Sequence, residues 1–176
     1  FDDEGFYCFG DALRFADETD MSAGFFFDGR TAENFKLNTG TWVSTGALRT
    51  AFINQFGTIV RDVAIAGPDR PYLSALVFPN LDELRRISGL GAEAPLRDLL
   101  AHPAVVQAFR EKLAAHGRQA TGSSTCVRKL VLMDTPPSLD AGEVTDKGSV
   151  NQRKVLALRA ATVDALYEGT IETISV

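Results

Sequence analysis

The sequence is short of the side chains that carry most metal and nucleophile chemistry, with two cysteines and two histidines in 176 residues. Cys8 and Cys126 lie far apart and neither belongs to a CxxC pair, so neither a disulfide framework nor a zinc site is indicated. Both are expected to be reduced, structural thiols. His102 and His116 are not paired at ligand spacing, which leaves a zinc hydrolase or a histidine-based triad with little to build from; no metal ligand set is assigned. No apolar run approaches the ~20 residues of a membrane-spanning helix, and no basic-then-apolar leader stands at the start. The chain therefore reads as soluble and cytoplasmic, with no membrane partner. Strong positive charge is also missing: 18 Lys and Arg against 23 Asp and Glu leave a net charge of -5, without the broad basic field of a general nucleic-acid binder. There is no initiator Met either, and the opening Phe1-Asp2-Asp3-Glu4 suggests a piece of something longer.

What remains is a chain that is 45% hydrophobic, enough for one core or for one domain plus a fragment of another. Phe6 to Phe15 and Gly24 to Phe27 flank the acidic turn Asp17-Glu18-Thr19-Asp20, the pattern of a β-hairpin. A second hairpin is expected from Asn34-Phe35-Lys36-Leu37 to Trp42-Val43, with its tip near Gly40. Leu48, Phe52, Ile53 and Phe56 recur at helical spacing before Gly57. The runs 59–66 and 72–78, separated by Gly67-Pro68-Asp69-Arg70-Pro71, read as paired core strands. A short helix over 81–87 and a loop marked by Gly89, Gly91 and Pro95 precede a helix opened by Pro103, with Val106, Phe109 and Leu113 as its buried stripe. Gln119 to Thr125 reads as a loop, 127–133 as a strand, 136–148 as an extended loop, and 150–167 as one final helix. The class is α+β, a small sheet flanked by helices and preceded by a β-hairpin.

Several residues suit chemistry, each with a plainer explanation beside it. Ser149 and Gln152 fit a capping box that starts the last helix just after Lys147. A cation there opposes the helix dipole, which suits a bound anion such as phosphate or carboxylate; a solvated loop lysine explains the same feature. Asp11 could accept hydrogen bonds from a diol such as ribose, or simply sit in a turn. Arg30 is a fixed cation on a segment between two units, or a linker arginine in a surface pair. Lys36 and Thr39-Gly40-Thr41 put a charge and an approachable backbone on one hairpin, or merely turn the chain. Thr121-Gly122-Ser123-Ser124-Thr125 lacks the Gly-Lys-Ser/Thr ending of a phosphate loop. His102 is expected at a helix start, His116 near a helix end, and Cys126 in packing.

Taken together, the strings Gly5-Phe6-Tyr7-Cys8-Phe9-Gly10-Asp11 and Phe27-Asp28-Gly29-Arg30-Thr31-Ala32-Glu33-Asn34-Phe35-Lys36, followed by a late lysine loop, resemble the last third of the adenylate-forming enzymes. Ala32-Glu33-Asn34-Phe35-Lys36-Leu37 with Thr39-Gly40-Thr41-Trp42-Val43, and Gly142-Glu143-Val144-Thr145-Asp146-Lys147-Gly148, are most similar to feruloyl-CoA synthase and other aryl-CoA ligases. The resemblance implies that residues 1–28 end a large AMP-binding domain and that 29–176 form a small C-terminal lid. It implies ATP, Mg2+ and CoA as cofactors, bound mainly with the large domain. The implied partners are the chain's own large domain and a small aromatic acid such as ferulate, with a homodimer of the parent left open. Asp11 and Arg30 would bind the nucleotide, and Arg30-Thr31-Ala32 would form the hinge. Lys147 would be the adenylation lysine, and Lys36, Thr39, Gly40 and Thr41 would line the CoA passage. The chain alone would be inactive, since the phosphate loop and the acid pocket of the family are not in it. Three departures stand out: Ala32 replaces a charged hinge residue, the loop reads Asp146-Lys147-Gly148 rather than Gly-Lys, and the Gly40 turn is one residue longer. Two other functions stay in view: a relative that acylates a carrier-protein thiol, and a non-catalytic binding module that retains the fold.

Overall fold

The structure is a computed structural model that describes residues 1–175. The aromatic opening pairs as β1 (Asp11–Phe15) and β2 (Phe25–Arg30), an antiparallel hairpin in which Leu13 faces Phe27 and Phe15 faces Phe25. Residues 6–10, expected in the first strand, lie before it without regular structure. A second hairpin, β3 (Phe35–Lys36) and β4 (Trp42–Val43), turns near Gly40 as expected. Helix α1 (Thr45–Phe56) buries Leu48, Phe52 and Phe56, which the four-residue repeat places on one stripe.

The main sheet begins with β5 (Val60–Ala66) and β6 (Leu73–Pro79), an antiparallel pair. Strand β6 reads Leu-Ser-Ala-Leu-Val-Phe-Pro and is buried at every position, so it needs cover on both faces. A crossover of α2 (Leu81–Ser88), α3 (Leu96–Leu100) and α4 (Pro103–Gln119) returns the chain to β7 (Val127–Leu132), parallel to β6. After the long loop come α5 (Gln152–Leu158), α6 (Ala160–Glu168) and β8 (Ile174–Ser175), which pairs antiparallel with β7. The strand order is β5-β6-β7-β8. One face packs Val63, Ile65, Ala75 and Val77 against Phe52, Phe56, Phe109 and Leu113 of α1 and α4. The other packs Ala64, Leu76 and Phe78 against Val155 and Leu166 of α5 and α6. Alternation within β5 and β6 therefore feeds two cores, and the α+β class with helices flanking a small sheet is what the chain adopts.

Six local readings are corrected. Helix α3 stands in the stretch expected to be loop, and β8 was not foreseen. The stripe of α4 consists of Val105, Phe109, Leu113 and His116, with Val106 only half-buried. The final helix is two helices broken at Arg159, whose φ of -106° and ψ of 27° depart from helical geometry. The capping box is absent: the N-cap is Asn151, whose side chain accepts from the Lys154 N–H, while Gln152 is buried against β5. Helix α5 thus starts five residues after Lys147, and a helix end does not frame that lysine. Cys8 is exposed rather than packed, and Cys126 is half-buried.

Candidate functional site

Lys147 stands at the tip of a tight hairpin built by its own neighbours. The Thr145 N–H donates to Ser149 O (2.8 Å), the Gly148 N–H closes a turn on Thr145 O (2.8 Å), and Val144 bridges Val150. Gly148 takes the turn at φ 80°, a conformation that side chains with a Cβ rarely adopt. The hydroxyls of Thr145 and Ser149 lie 2.9 Å apart across the base. Further back, Glu143 is buried and held by Arg159, whose Nε and Nη2 donate to its two oxygens at 2.7 and 2.8 Å. The same guanidinium donates to Thr135 O and Pro136 O, so it fastens both arms of the loop. The Arg159 hydrogen bond is the main cause that holds the Glu143 carboxyl below the ordinary glutamate range, against the opposing effect of burial.

The lysine hairpin faces a groove of about 720 Å³ whose other walls are β2 and α1. Arg30, Glu33, Arg49 and Thr50 line it together with Asp146, Lys147 and Ser149. Among the described residues neither Arg30 nor Lys147 lies within ion-pair distance of a carboxylate. Asp11 is the cross-strand partner of Arg30, and the neighbouring Thr31 N–H donates to Gly10 O at 2.9 Å. The two residues that the resemblance assigns to the nucleotide are thus side by side on one ribbon. Close backbone packing fixes that ribbon to α1, since a Cβ on Gly46 would stand 2.4 Å from the Gly29 Cα. Ser44 Oγ also donates to Asp28 O (3.2 Å).

Lys36, Thr39, Gly40 and Thr41 line none of this groove. Their hairpin docks on the β5–β6 turn, through Asp69 N–H to Lys36 O (3.1 Å) and Asn38 N–H to Arg70 O (3.0 Å). Ser123 Oγ reaches Thr41 Oγ1 at 3.3 Å, and Lys36 Nζ lies 5.9 Å from the centre of the exposed Trp42 ring. A second groove of about 480 Å³ begins at Trp42 and runs between α1 and the end of α4, past His116. His102 caps α4 through Nδ1, as its place at the helix start suggested. His116 is buried against Phe52, and desolvation lowers its pKa despite the opposing backbone bond with Thr125.

The sequence offered no sign of Arg49 and Asp62 and offered Gln152 only as part of a capping box, yet the three organise the edge beside the lysine hairpin. Asp62 bonds Arg49, and Gln152 accepts from the Ile65 N–H (2.8 Å) and donates to Ile65 O. A polar residue at full burial would have marked Gln152, but burial is not visible in the sequence. No three His, Cys, Asp or Glu side chains come together to hold a metal among the described residues. No helix among them is long and apolar enough to cross a membrane.

A small sheet with helices on both faces is the fold of the C-terminal domain of adenylate-forming enzymes. Residues 36–170 match the model of the AMP-binding enzyme C-terminal domain, and the chain belongs to that family. A carboxylic acid reductase of Segniliparus rugosus is 27% identical over 177 residues, spanning 98% of this chain and 13% of that protein. A chloroplastic long-chain-fatty-acid–[acyl-carrier-protein] ligase of Arabidopsis thaliana is 24% identical over 140 residues, 80% of this chain and 17% of that protein. The solved adenylation domain of the Segniliparus rugosus reductase, in complex with AMP and a carboxylic acid, superposes with a TM-score of 0.71 at 25% identity. That match covers 97% of this chain and 24% of that one. The chain therefore spans less than a quarter of the length of these relatives.

Proposed function

We propose that this chain is the C-terminal part of an ATP-dependent aromatic acid:CoA ligase of the feruloyl-CoA synthase kind, with Lys147 as its adenylation lysine. The observation that carries the proposal is the groove that Lys147 and Arg30 both line, neither in an ion pair among the described residues, while the Thr39-Gly40-Thr41 hairpin stands apart from it. Two separate polar faces suit two half-reactions. In the first, a carboxylate oxygen attacks the α-phosphorus of ATP and pyrophosphate leaves. The Lys147 ammonium, with Arg30, offsets the charge gathering on the reacting oxygens, and Asp11 holds the ribose hydroxyls. In the second, the CoA thiol attacks the acyl carbon, losing its proton as AMP departs, with Lys36 and the Gly40 turn beside the pantetheine arm. Rotation about Arg30-Thr31-Ala32 would exchange one face for the other.

The β1–β2 ribbon supports a boundary near residue 28. Leu13, Phe15, Phe25 and Phe27 share one face and are 39–65% exposed, an uncovered aromatic surface that suits burial in a larger domain. A second acceptor is favoured by the relatives named above, one a ligase for acyl carrier protein: the acyl group would pass to a carrier-protein thiol instead of CoA.

The test is Lys147→Ala in an enzyme that joins this domain to its large domain. Pyrophosphate exchange should fall by about 10²–10³-fold, the usual effect of deleting one group that stabilises developing charge. Thioester formation from preformed acyl-adenylate should survive, and offering CoA and a holo carrier protein in turn separates the two acceptors. Unchanged pyrophosphate exchange would remove Lys147 from the role.

A further inference from the structure

We propose that Asp62 is a positioning residue for Lys147, holding the base of the lysine hairpin against strand β5 and so setting where its tip stands over the groove. This rests on the adenylation role given to Lys147 above. Asp62 lies on the outer edge of β5 with its side chain 14% exposed. Its Oδ1 accepts from the Val63 N–H (2.7 Å) and from Arg49 Nη2 (2.6 Å), while its Oδ2 accepts from the Val150 N–H (2.7 Å). Arg49 in turn donates through Nε to Val63 O at 2.9 Å. The carboxylate is therefore fixed from two sides before it reaches the loop.

Val150 is the point where that grip bears on the chemistry. It closes the hairpin through its bridge to Val144, it follows Ser149, whose carbonyl receives the Thr145 N–H, and it is three residues from Lys147. In so short and closed a turn, a displacement at Val150 is carried to the tip. Stability alone does not account for the arrangement, since a largely buried ion pair can often be exchanged for apolar groups at little cost. An Arg49–Asp62 pair that served only the fold would also have no need of a second oxygen turned toward the loop. Asp62 pairs with Arg49 on the groove wall as well, whereas among the described residues neither Lys147 nor Arg30 is in an ion pair.

The first measurement uses the 176-residue chain itself. In Asp62→Ala, native-state hydrogen exchange at the Val150 amide should rise about tenfold or more, the effect of losing a hydrogen bond to a charged group. The Ile65 amide, held by Gln152, should stay within about twofold. The second measurement uses the enzyme with its large domain. Asp62→Ala should slow pyrophosphate exchange by about a hundredfold, the usual result of a small misplacement, and leave thioester formation from preformed acyl-adenylate within about twofold. Asp62→Asn, which keeps one oxygen acceptor and the side-chain volume, should fall between and carries the test if the alanine variant does not fold. Where Lys147→Ala abolishes exchange, an equal loss in both half-reactions or no loss of pyrophosphate exchange in the Asp62 variants overturns the proposal. Where Lys147→Ala leaves exchange intact, the adenylation role itself fails and the positioning role falls with it.

Discussion

Replacing Gly46 by alanine tests whether the arginine-bearing strand is fastened to α1 by backbone contact. The new methyl would lie 2.4 Å from the Gly29 Cα and 3.1 Å from the Gly29 nitrogen, and no side-chain rotation relieves a clash with backbone. Alanine in place of glycine favours a helix by about 1 kcal/mol in its interior, and by less here because Gly46 is the second residue of α1. Overpacking costs about 1–3 kcal/mol, with the upper end expected for a rigid neighbour. The net penalty of about 1–2 kcal/mol raises the population with β2 lifted from α1 by about 5–30-fold. Limited digestion with trypsin, followed by mass spectrometry at the bond after Arg30, reads that population directly. Cleavage should accelerate by the same factor while the main sheet keeps its midpoint in urea. An unchanged cleavage rate, or a more stable chain, would show that the Gly29–Gly46 approach does not hold the ribbon.

Two further outcomes concern titration and the loop clamp. His116 is buried with its pKa lowered below 6.5, so the unfolded chain takes up the proton first, and stability should fall as pH drops through 6.5 toward the lowered native value. Melting temperatures of His116→Gln should be flatter over that window; parallel curves for both chains would refute the assignment. Arg159→Met leaves the Glu143 carboxylate buried without its partner and should destabilise the chain by about 3–5 kcal/mol in urea. Because Glu143 is held below its ordinary value of 4.5, its contribution in the parent chain is present above that pH and lost as pH falls below it, a loss the variant should no longer show.

Much of this architecture was legible because local chemistry and tertiary packing agree. The four-residue repeat of Leu48, Phe52 and Phe56 predicts α1, and the turn chemistry between residues 67 and 71 predicts the β5–β6 hairpin. Failures came where side chains act at long range. Gln152 has the right spacing from Ser149 for a capping box, yet its amide is drawn 87 residues away to the buried edge backbone of Ile65, and Asn151 caps the helix instead. His116 lies near a helix end as expected, but its α4 stripe turns it inward beside Phe52, so burial rather than the helix dipole governs it. On the candidate site, motif order suggested Arg30 and Lys147 as residues of interest, and the fold sets them on one groove. It could not suggest Asp62, because an aspartate in a strand carries no mark until its neighbours across the chain are known.

The outer edge of β5 has a consequence for how the molecule behaves in a crowd. An open strand edge is a template on which another chain can add its own strand, and many copies can stack in that way. Here the Val63 N–H and C=O are occupied by Asp62 and Arg49, and both backbone groups of Ile65 by Gln152. Three side chains stand where a neighbouring strand would otherwise pair. The bonds that fasten the lysine hairpin and α5 therefore also blunt this edge against aggregation, and a substitution at Gln152 would be expected to show first as loss of soluble protein on concentration.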